Sequence, residues 1–326
     1  LIFWSPDFAK VYGIDNVAPA QEWINIMGRF ISNWRMPLFF LLSGFFSILV
    51  IERKGISQFL RDRIIRVGLT CLIFSSLYDI SDGSFDFTTL HLWFLFELMI
   101  IVLVFSLLYR LKIIKNLISV KLTPKIFFFL TLWLISSVPL AFILNNWWHP
   151  LALKASTSYF DLKIGNMLYY FSYFLAGVIL YSNQKIFIKL KNIKTIFLLG
   201  NLSLCTFLLR IYSDHLTIGQ ADSLRNIAQI QFDPILVFFN ACMIGMNSIL
   251  LSLLFIGLAS KIIQSDSLII RWFVELSYPI YIIHIIPVTM MSAVFHHAGL
   301  NQLSILPLAV ITGFIICVIL YYVFIK

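Results

Sequence analysis

Three short segments of the sequence carry ionisable residues at helical spacing beside long apolar stretches, and the first is rich in arginine. Arg63 and Arg66 lie three residues apart, a spacing that places both side chains on one face of an α-helix. Two neighbouring guanidinium groups suit a phosphate-bearing ligand such as a nucleotide or coenzyme A. The alternative is that both residues anchor the chain at a membrane surface through lipid phosphates.

The second segment runs from His91 to Glu97, where another apolar stretch begins. Trp93 and Glu97 are one helical turn apart, and a carboxylate inside an apolar stretch needs a partner or a proton. A histidine titrates near neutral pH, so His91 is a candidate general base. The alternative is an interfacial belt formed by His91 and Trp93, with Glu97 paired to a neighbouring helix.

The third segment contains Ser277, Tyr281 and His284, which fall at positions i, i+4 and i+7 and predict one polar stripe on a helix. Pro279 and Pro287 bracket this stripe, and the carbonyl groups that they free can line a local opening. His284 is therefore a second candidate base. The alternative is a histidine that makes one structural hydrogen bond within a packed helix pair.

Arg35 is a further candidate, because it stands alone at the boundary of an apolar stretch. Ser43 and Gly44 follow two turns later and favour close helix packing. The alternative is that the Arg35 side chain extends to the lipid headgroups.

The elements that must position these residues follow from composition. The 326 residues are 60% hydrophobic and 12% charged, with a mean hydropathy of +0.92. Soluble domains are roughly 45–50% apolar and about 25% charged, so a soluble enzyme, a disulfide scaffold and a disordered chain are excluded. A membrane-spanning helix needs about 20 mainly apolar residues. Nine stretches qualify and predict an all-α, polytopic transmembrane helix bundle: 36–52, 64–80, 90–109, 126–144, 164–182, 193–212, 235–259, 272–295 and 305–325.

Most of the 24 Lys and Arg residues fall in alternate connections, namely 53–66, 110–125, 183–194 and 260–271. Because basic connections stay in the cytoplasm, residue 1 is predicted outside and residue 326 inside. This arrangement accounts for most of the net charge of +9 without a nucleic-acid partner. The opposite connections are longer and polar, and they are where a water-soluble substrate can be met.

Motifs for other chemistries do not occur. The sequence contains no phosphate-binding loop, dinucleotide fingerprint, zincin helix or nucleophile elbow, and its Cys and His spacings predict no metal site. At this point a transferase and a transporter both remain open.

Four strings, taken in order, resemble the acyltransferase-3 family of membrane O-acyltransferases. They are RMPLFFLLSGFF (35–46), RIIR (63–66), HLWFL (91–95) and YPIYIIH (278–284). The resemblance runs over essentially the whole chain and implies one integral-membrane domain, residues 1–326. It also implies ten helices, the first of which carries a hallmark histidine and precedes Leu1. We therefore expect a chain truncated at its N-terminus, and possibly at its C-terminus.

The resemblance implies transfer of an acetyl or succinyl group from cytosolic acyl-coenzyme A to a hydroxyl of a periplasmic or cell-surface glycan. The enzyme would lie in a bacterial inner membrane, with the lipid bilayer, acyl-coenzyme A and the glycan as its partners. Arg63 and Arg66 would contact the coenzyme phosphates. The transfer path or acceptor pocket would be lined by Arg35, His91, Trp93 and His284 and oriented by Tyr281 and Glu97.

In this mechanism a histidine removes the hydroxyl proton, with His91 as first and His284 as second candidate within the chain. Arg35 or Tyr281 donates to the thioester oxygen. The main rival is a transporter or flippase for a polar or anionic solute, which predicts inverted repeats that the sequence lacks. A nearer rival keeps the chemistry but acylates lipopolysaccharide, peptidoglycan or exopolysaccharide sugars.

Overall fold

The computed structural model describes residues 22–82, 92–146, 159–218, 233–263, 265 and 267–324. Within this part of the chain all regular elements are helical, which confirms the all-α prediction. The first helices are α1 (Glu22–Lys54), α2 (Ile56–Arg63), a π-helical segment (Ile64–Leu69), α3 (Thr70–Asp82), α4 (Trp93–Arg110), α5 (Lys115–Ile118) and α6 (Pro124–Leu144). The others are α7 (Ile164–Tyr181), α8 (Lys185–Leu190), α9 (Ile193–Ile218), α10 (Pro234–Ile262), α11 (Leu268–Ile283), α12 (Ile285–His297) and α13 (Gln302–Phe324).

Seven of these helices are long and apolar enough to cross a membrane: α1, α4, α6, α7, α9, α10 and α13. The bent pair α11 and α12 gives an eighth span if the two helices are taken together. The predicted span 64–80 is divided between the π-helical segment and α3, each shorter than a membrane crossing. The count of nine spans therefore stays a prediction, as does the single domain over residues 1–326.

The predicted span 272–295 is not one straight helix. Helices α11 and α12 meet at His284 with a bend of 67°. Pro287 lies in the first turn of α12, has no N–H to donate to the Ile283 carbonyl, and crowds that carbonyl with its ring. The bend separates the polar residues of α11 from the body of α12.

The described residues form two compact units. One comprises the described residues from Phe30 to Ile262, in which α9 packs on α10, α10 on α6, and α6 on α7. The other comprises the described residues up to Arg29 and from Ile263 onward. In that unit α13 packs against both α11 and α12.

Helices α1 and α7 cross at two glycines in the first of these units. A Cβ atom on Gly44 would overlap the carbonyl oxygen of Phe174, and one on Gly177 would overlap that of Leu41. Small residues at such a crossing let two backbones approach closely. The crossing fixes the register of α1 against α7 and brings the polar residues two turns before Gly44 opposite those near the start of α7.

Candidate active site

A polar cavity of about 190 Å³ lies among five helices of the unit Phe30–Ile262. A single water needs only about 10–15 Å³ of such space, so the cavity admits a larger polar group. Its wall is formed by α1, α4, α7, α9 and α10, and most of the side chains that line it are polar or aromatic. They include Ser32, Asn33, Arg35, Trp93, Asn166, Tyr169, Tyr170, Arg210 and Ser248.

Helix α1 lines the polar cavity with residues that include Arg35 and Pro37. Pro37 lies inside the helix and lacks the N–H that would bond the Asn33 carbonyl, so that carbonyl is released from the helix ladder. The Arg35 side chain is exposed, at the edge of the cavity. Among the described residues it forms no ion pair. Arg35 is therefore an arginine whose charge faces the cavity and solvent.

Helix α4 supplies Trp93, its first residue, with the indole 5.8 Å from the Tyr170 ring. Glu97 follows one turn later and is fully buried. The Tyr170 hydroxyl lies within electrostatic range of both the Glu97 carboxylate and the Arg35 guanidinium. The fold thus brings Arg35, Trp93 and Glu97 into one neighbourhood, although they are far apart in the sequence. Their roles stay predictions.

Helix α7 lines the cavity with an amide and two phenols. The Asn166 amide oxygen accepts a hydrogen bond of 2.9 Å from Asn145 Nδ2. The Tyr170 ring stacks on Phe40 with the ring centroids 4.5 Å apart. The Tyr169 hydroxyl donates to Ser248 Oγ over 3.1 Å. These contacts hold the lining side chains in fixed positions.

The most buried charge in the cavity wall is Arg210, which is 1% exposed. Its guanidinium donates from Nη1 to Asn33 Oδ1, and its Nε lies 3.8 Å from Asp214 Oδ2, one turn along α9. Asn240 of α10 donates to Asp214 Oδ1. Asn33 in turn donates to Asn247 Oδ1 over 2.8 Å. An arginine, a carboxylate and three amides therefore join α1, α9 and α10 beside the cavity.

Arg210 is not among the site residues predicted from the sequence. The available signal was its place four residues before Asp214 in a helix of Ile193–Ile218, because an ionisable pair inside an apolar helix is a site candidate by default. The predicted span ended at residue 212 and left Asp214 outside the membrane. Extending the helix by one turn would have revealed the pair.

The two arginines predicted to hold coenzyme phosphates lie elsewhere. Arg63 ends α2, and its guanidinium lies 5.6 Å from the centre of the Phe59 ring. Arg66 is exposed and falls within the π-helical segment. A π-helix has a wider turn than an α-helix, so the α-helical spacing assumed for this pair does not hold. Their contact with a cofactor stays a prediction.

His284 and Tyr281 belong to the second compact unit. His284 Nδ1 lies 2.6 Å from the Tyr281 carbonyl oxygen, and the two rings lie 5.3 Å apart at the bend between α11 and α12. Ser277 is exposed and donates to the Val274 carbonyl. The first candidate base, His91, lies outside the described residues. Within the described residues, no three His, Cys, Asp or Glu side chains are grouped to hold a metal ion.

A smaller, apolar cavity of about 50 Å³ adjoins the later turns of α7 and α10. On α7 the polar cavity ends at Tyr170, and the apolar cavity begins at Tyr173. On α10 the polar cavity ends at Ser248, and the apolar cavity begins at Ile249. The same two helices therefore line a polar cavity toward one end and an apolar cavity toward the other.

Comparison with known proteins gives one match. The model of the acyltransferase-3 family, described as an acyltransferase domain, matches residues 7–322. No curated protein and no solved structure matches the chain significantly. The family match covers nearly the whole chain, including all five helices that line the polar cavity. The chain therefore belongs to the acyltransferase-3 family and is a multi-pass membrane acyltransferase.

Proposed function

We propose that the enzyme transfers an acyl group from acyl-coenzyme A, taken from the cytoplasm, to a hydroxyl of a glycan outside the membrane. The observation that carries this proposal is the polar cavity of about 190 Å³, which lies among apolar helices and is lined by two arginines. The apolar helices around such a cavity lower the local dielectric and so strengthen the electrostatic contacts made inside it. Family membership favours an enzyme over the transporter alternative.

The lining chemistry supports a hydroxyl-rich acceptor. Asn33, Asn166 and Ser248 place amide and hydroxyl groups in the cavity wall, and groups of this kind can exchange hydrogen bonds with sugar hydroxyls. The Trp93 and Tyr170 rings supply a flat apolar surface beside these polar groups. Mostly apolar and aromatic walls with a few well-placed polar groups are typical of small-molecule sites.

The basic connections support a phosphorylated donor on the other side. Arg63 and Arg66 stand in the segment 53–66, which is predicted to face the cytoplasm. The apolar cavity lies toward the cytoplasmic ends of α7 and α10 in this topology, and it suits the slender, largely apolar arm that carries the thioester. On this proposal the acyl group reaches the polar cavity along these two helices.

The chemistry is acyl substitution. The sugar hydroxyl oxygen attacks the thioester carbonyl carbon and forms the new C–O bond, while the carbonyl electron pair moves onto its oxygen. When the C=O bond re-forms, the C–S bond breaks, and the thiolate leaves as coenzyme A. The hydroxyl proton passes to a general base, with His91 as first candidate and His284 as second, and then to the thiolate.

The finer identity of the substrates rests on resemblance. The order and spacing of the four strings resemble those of glucans biosynthesis protein C, which succinylates periplasmic glucans. We therefore propose succinyl, ahead of acetyl, as the acyl group and a periplasmic glucan as the acceptor, in a bacterial inner membrane. Lipopolysaccharide, peptidoglycan and exopolysaccharide are the competing acceptors.

The test uses the full chain in lipid nanodiscs, where both faces are accessible, with acyl-coenzyme A labelled in the acyl group and a purified glucan. We expect label in the glycan, released by mild alkali as an ester should be, and an equal amount of free coenzyme A thiol. If thiol is released and the label appears on another glycan instead of the glucan, that other glycan is the acceptor. If neither free thiol nor labelled glycan is formed, the proposal is overturned.

A further inference from the structure

Two arginines line the polar cavity, and their surroundings differ sharply. Arg35 is exposed and lies at the edge of the cavity. Arg210 is 1% exposed, yet it forms part of the same wall. An exposed guanidinium and a buried, hydrogen-bonded one have different roles, because only the second is already oriented before a reaction begins.

Arg210 is held from two sides. Asn33 Oδ1 accepts from its Nη1, and Asp214 Oδ2 lies 3.8 Å from its Nε. Each of these partners is itself fixed, since Asn33 donates to Asn247 over 2.8 Å and Asn240 donates to Asp214. Asn247 also donates to Thr206 Oγ1 over 2.9 Å. The orientation of the guanidinium is thus set by three helices.

We propose that Arg210 is a catalytic residue that stabilises the negative oxygen formed when the hydroxyl attacks the thioester, and that Asp214 and Asn33 position it. The inference rests on the proposed function. Charge develops on the carbonyl oxygen only during the reaction, so a donor fixed beside that oxygen lowers the barrier more than it strengthens substrate binding. The nucleophile is still the sugar hydroxyl and the leaving group is still the coenzyme A thiolate, as in the proposed function. Arg210 stays protonated throughout.

The electrostatic setting supports Arg210 over Arg35 in this role. The Asp214 carboxylate balances the Arg210 charge, which makes a buried guanidinium tolerable in a bilayer. Interactions made there are stronger than at the exposed Arg35, where water screens them. A network that only tied helices together would not need to include a residue that also lines the polar cavity.

The test measures single-turnover cleavage of the thioester, with free coenzyme A thiol as the readout, in the presence of glucan and in its absence. Water serves as acceptor in the second case, so the result does not depend on the glycan. We expect Arg210→Gln to lower the rate constant by about 10²–10³-fold, the usual loss for one oxyanion donor, with acyl-coenzyme A binding unchanged. Arg110→Gln, at an exposed position at the end of α4, is the matched control.

Two further variants keep the test decisive if Arg210→Gln fails to fold. Arg210→Lys keeps the charge and the Asp214 partner but loses the planar fork, so we expect most of the rate loss to remain. Asp214→Asn keeps the shape of its side chain and should lower the rate constant by about tenfold through misplacement of Arg210, again without weakening donor binding.

The outcomes separate the inference from the proposed function. If the wild-type enzyme cleaves the thioester and folded Arg210→Lys and Asp214→Asn do so at the wild-type rate, the inference is overturned and the proposed function stands. If the variants bind acyl-coenzyme A less tightly but turn over at the wild-type rate, Arg210 is a binding residue and the inference is again overturned. If the wild-type enzyme cleaves no thioester, both fail.

Discussion

Two ion pairs of similar length stand in opposite surroundings in this molecule. Arg210 Nε and Asp214 Oδ2 are 3.8 Å apart, with side chains 2% and 0% exposed. Lys54 Nζ and Asp62 Oδ2 are 3.5 Å apart, with side chains 56% and 28% exposed. In the first pair Arg210 lines the polar cavity, whereas the second pair stands in the basic segment that contains Arg63 and Arg66.

The difference between these pairs separates charges that are fixed in the protein interior from charges that are exposed to a ligand in solution. An exposed pair is weakened by water and salt, so charged side chains in such surroundings exchange partners readily with a diffusing ligand. A buried pair gains little net stability over apolar residues of the same size, because both charges lose their hydration. The buried pair is therefore better explained by what it positions than by what it stabilises.

The largest predicted effect comes from breaking the buried pair. Asp214→Ala leaves the Arg210 charge buried without its carboxylate, and we expect the free energy of unfolding to fall by about 3–5 kcal/mol. Reversible unfolding in mixed micelles measures this loss. The double variant Asp214→Leu with Arg210→Met should recover most of the stability while remaining inactive.

Asp62→Ala is the matched control, because it breaks the exposed pair with the same substitution. We expect a change of about 0–1 kcal/mol that shrinks further at high salt. If Asp62→Ala and Asp214→Ala lower stability equally, then burial does not distinguish the two pairs and the comparison fails.

Much of the fold follows from hydropathy alone. The predicted spans 164–182 and 126–144 agree closely with α7 (Ile164–Tyr181) and α6 (Pro124–Leu144), because a bilayer demands continuous apolar helix. The interruptions of the helices cannot be predicted from hydropathy. The π-helical segment Ile64–Leu69 and the bend at His284 change backbone geometry without changing mean apolarity, so a sliding window does not detect them.

The site was less predictable than the fold, for a physical reason. Periodicity shows which residues share one helix face, whereas the polar cavity depends on which helix faces meet. The α1–α7 crossing at Gly44 and Gly177 decides that Arg35 lies near Tyr170, and no pattern within one helix contains that information. Gly44 was noted as a packing position, but its partner helix could not be read from the sequence.

The second prediction concerns the stability of the α1–α7 crossing in the buried region. Gly177→Ala places a Cβ against the Leu41 carbonyl oxygen, and we expect a loss of about 1–3 kcal/mol as α1 and α7 separate. Gly200→Ala in α9 is the control, since a Cβ there meets nothing within 4 Å. It should raise stability by up to about 1 kcal/mol through higher helix propensity. Equal responses in the two variants would contradict a close crossing.

The smallest predicted effect concerns Arg63 and Arg66. It is an effect on donor binding, in contrast to the effect on the rate constant that we expect for Arg210. If Arg63 and Arg66 hold the coenzyme phosphates, they bind the donor equally in the ground and transition states. Arg63→Gln with Arg66→Gln should therefore raise KM for acyl-coenzyme A about tenfold, a loss of roughly 1.4 kcal/mol, with kcat unchanged. The wild-type KM should itself rise with salt, and the variant should lose much of that dependence.

Arg61→Gln removes one exposed charge from the same segment and serves as the control. We expect its KM to change less than twofold, because a diffuse positive surface loses little with one charge whereas a phosphate contact loses a defined hydrogen bond. If the Arg63 and Arg66 double variant shifts log KM only twice as much as Arg61→Gln does, in proportion to the charges removed, the segment attracts the donor only through its net charge. A fall in kcat with unchanged KM would instead place these arginines in the role that we assign to Arg210.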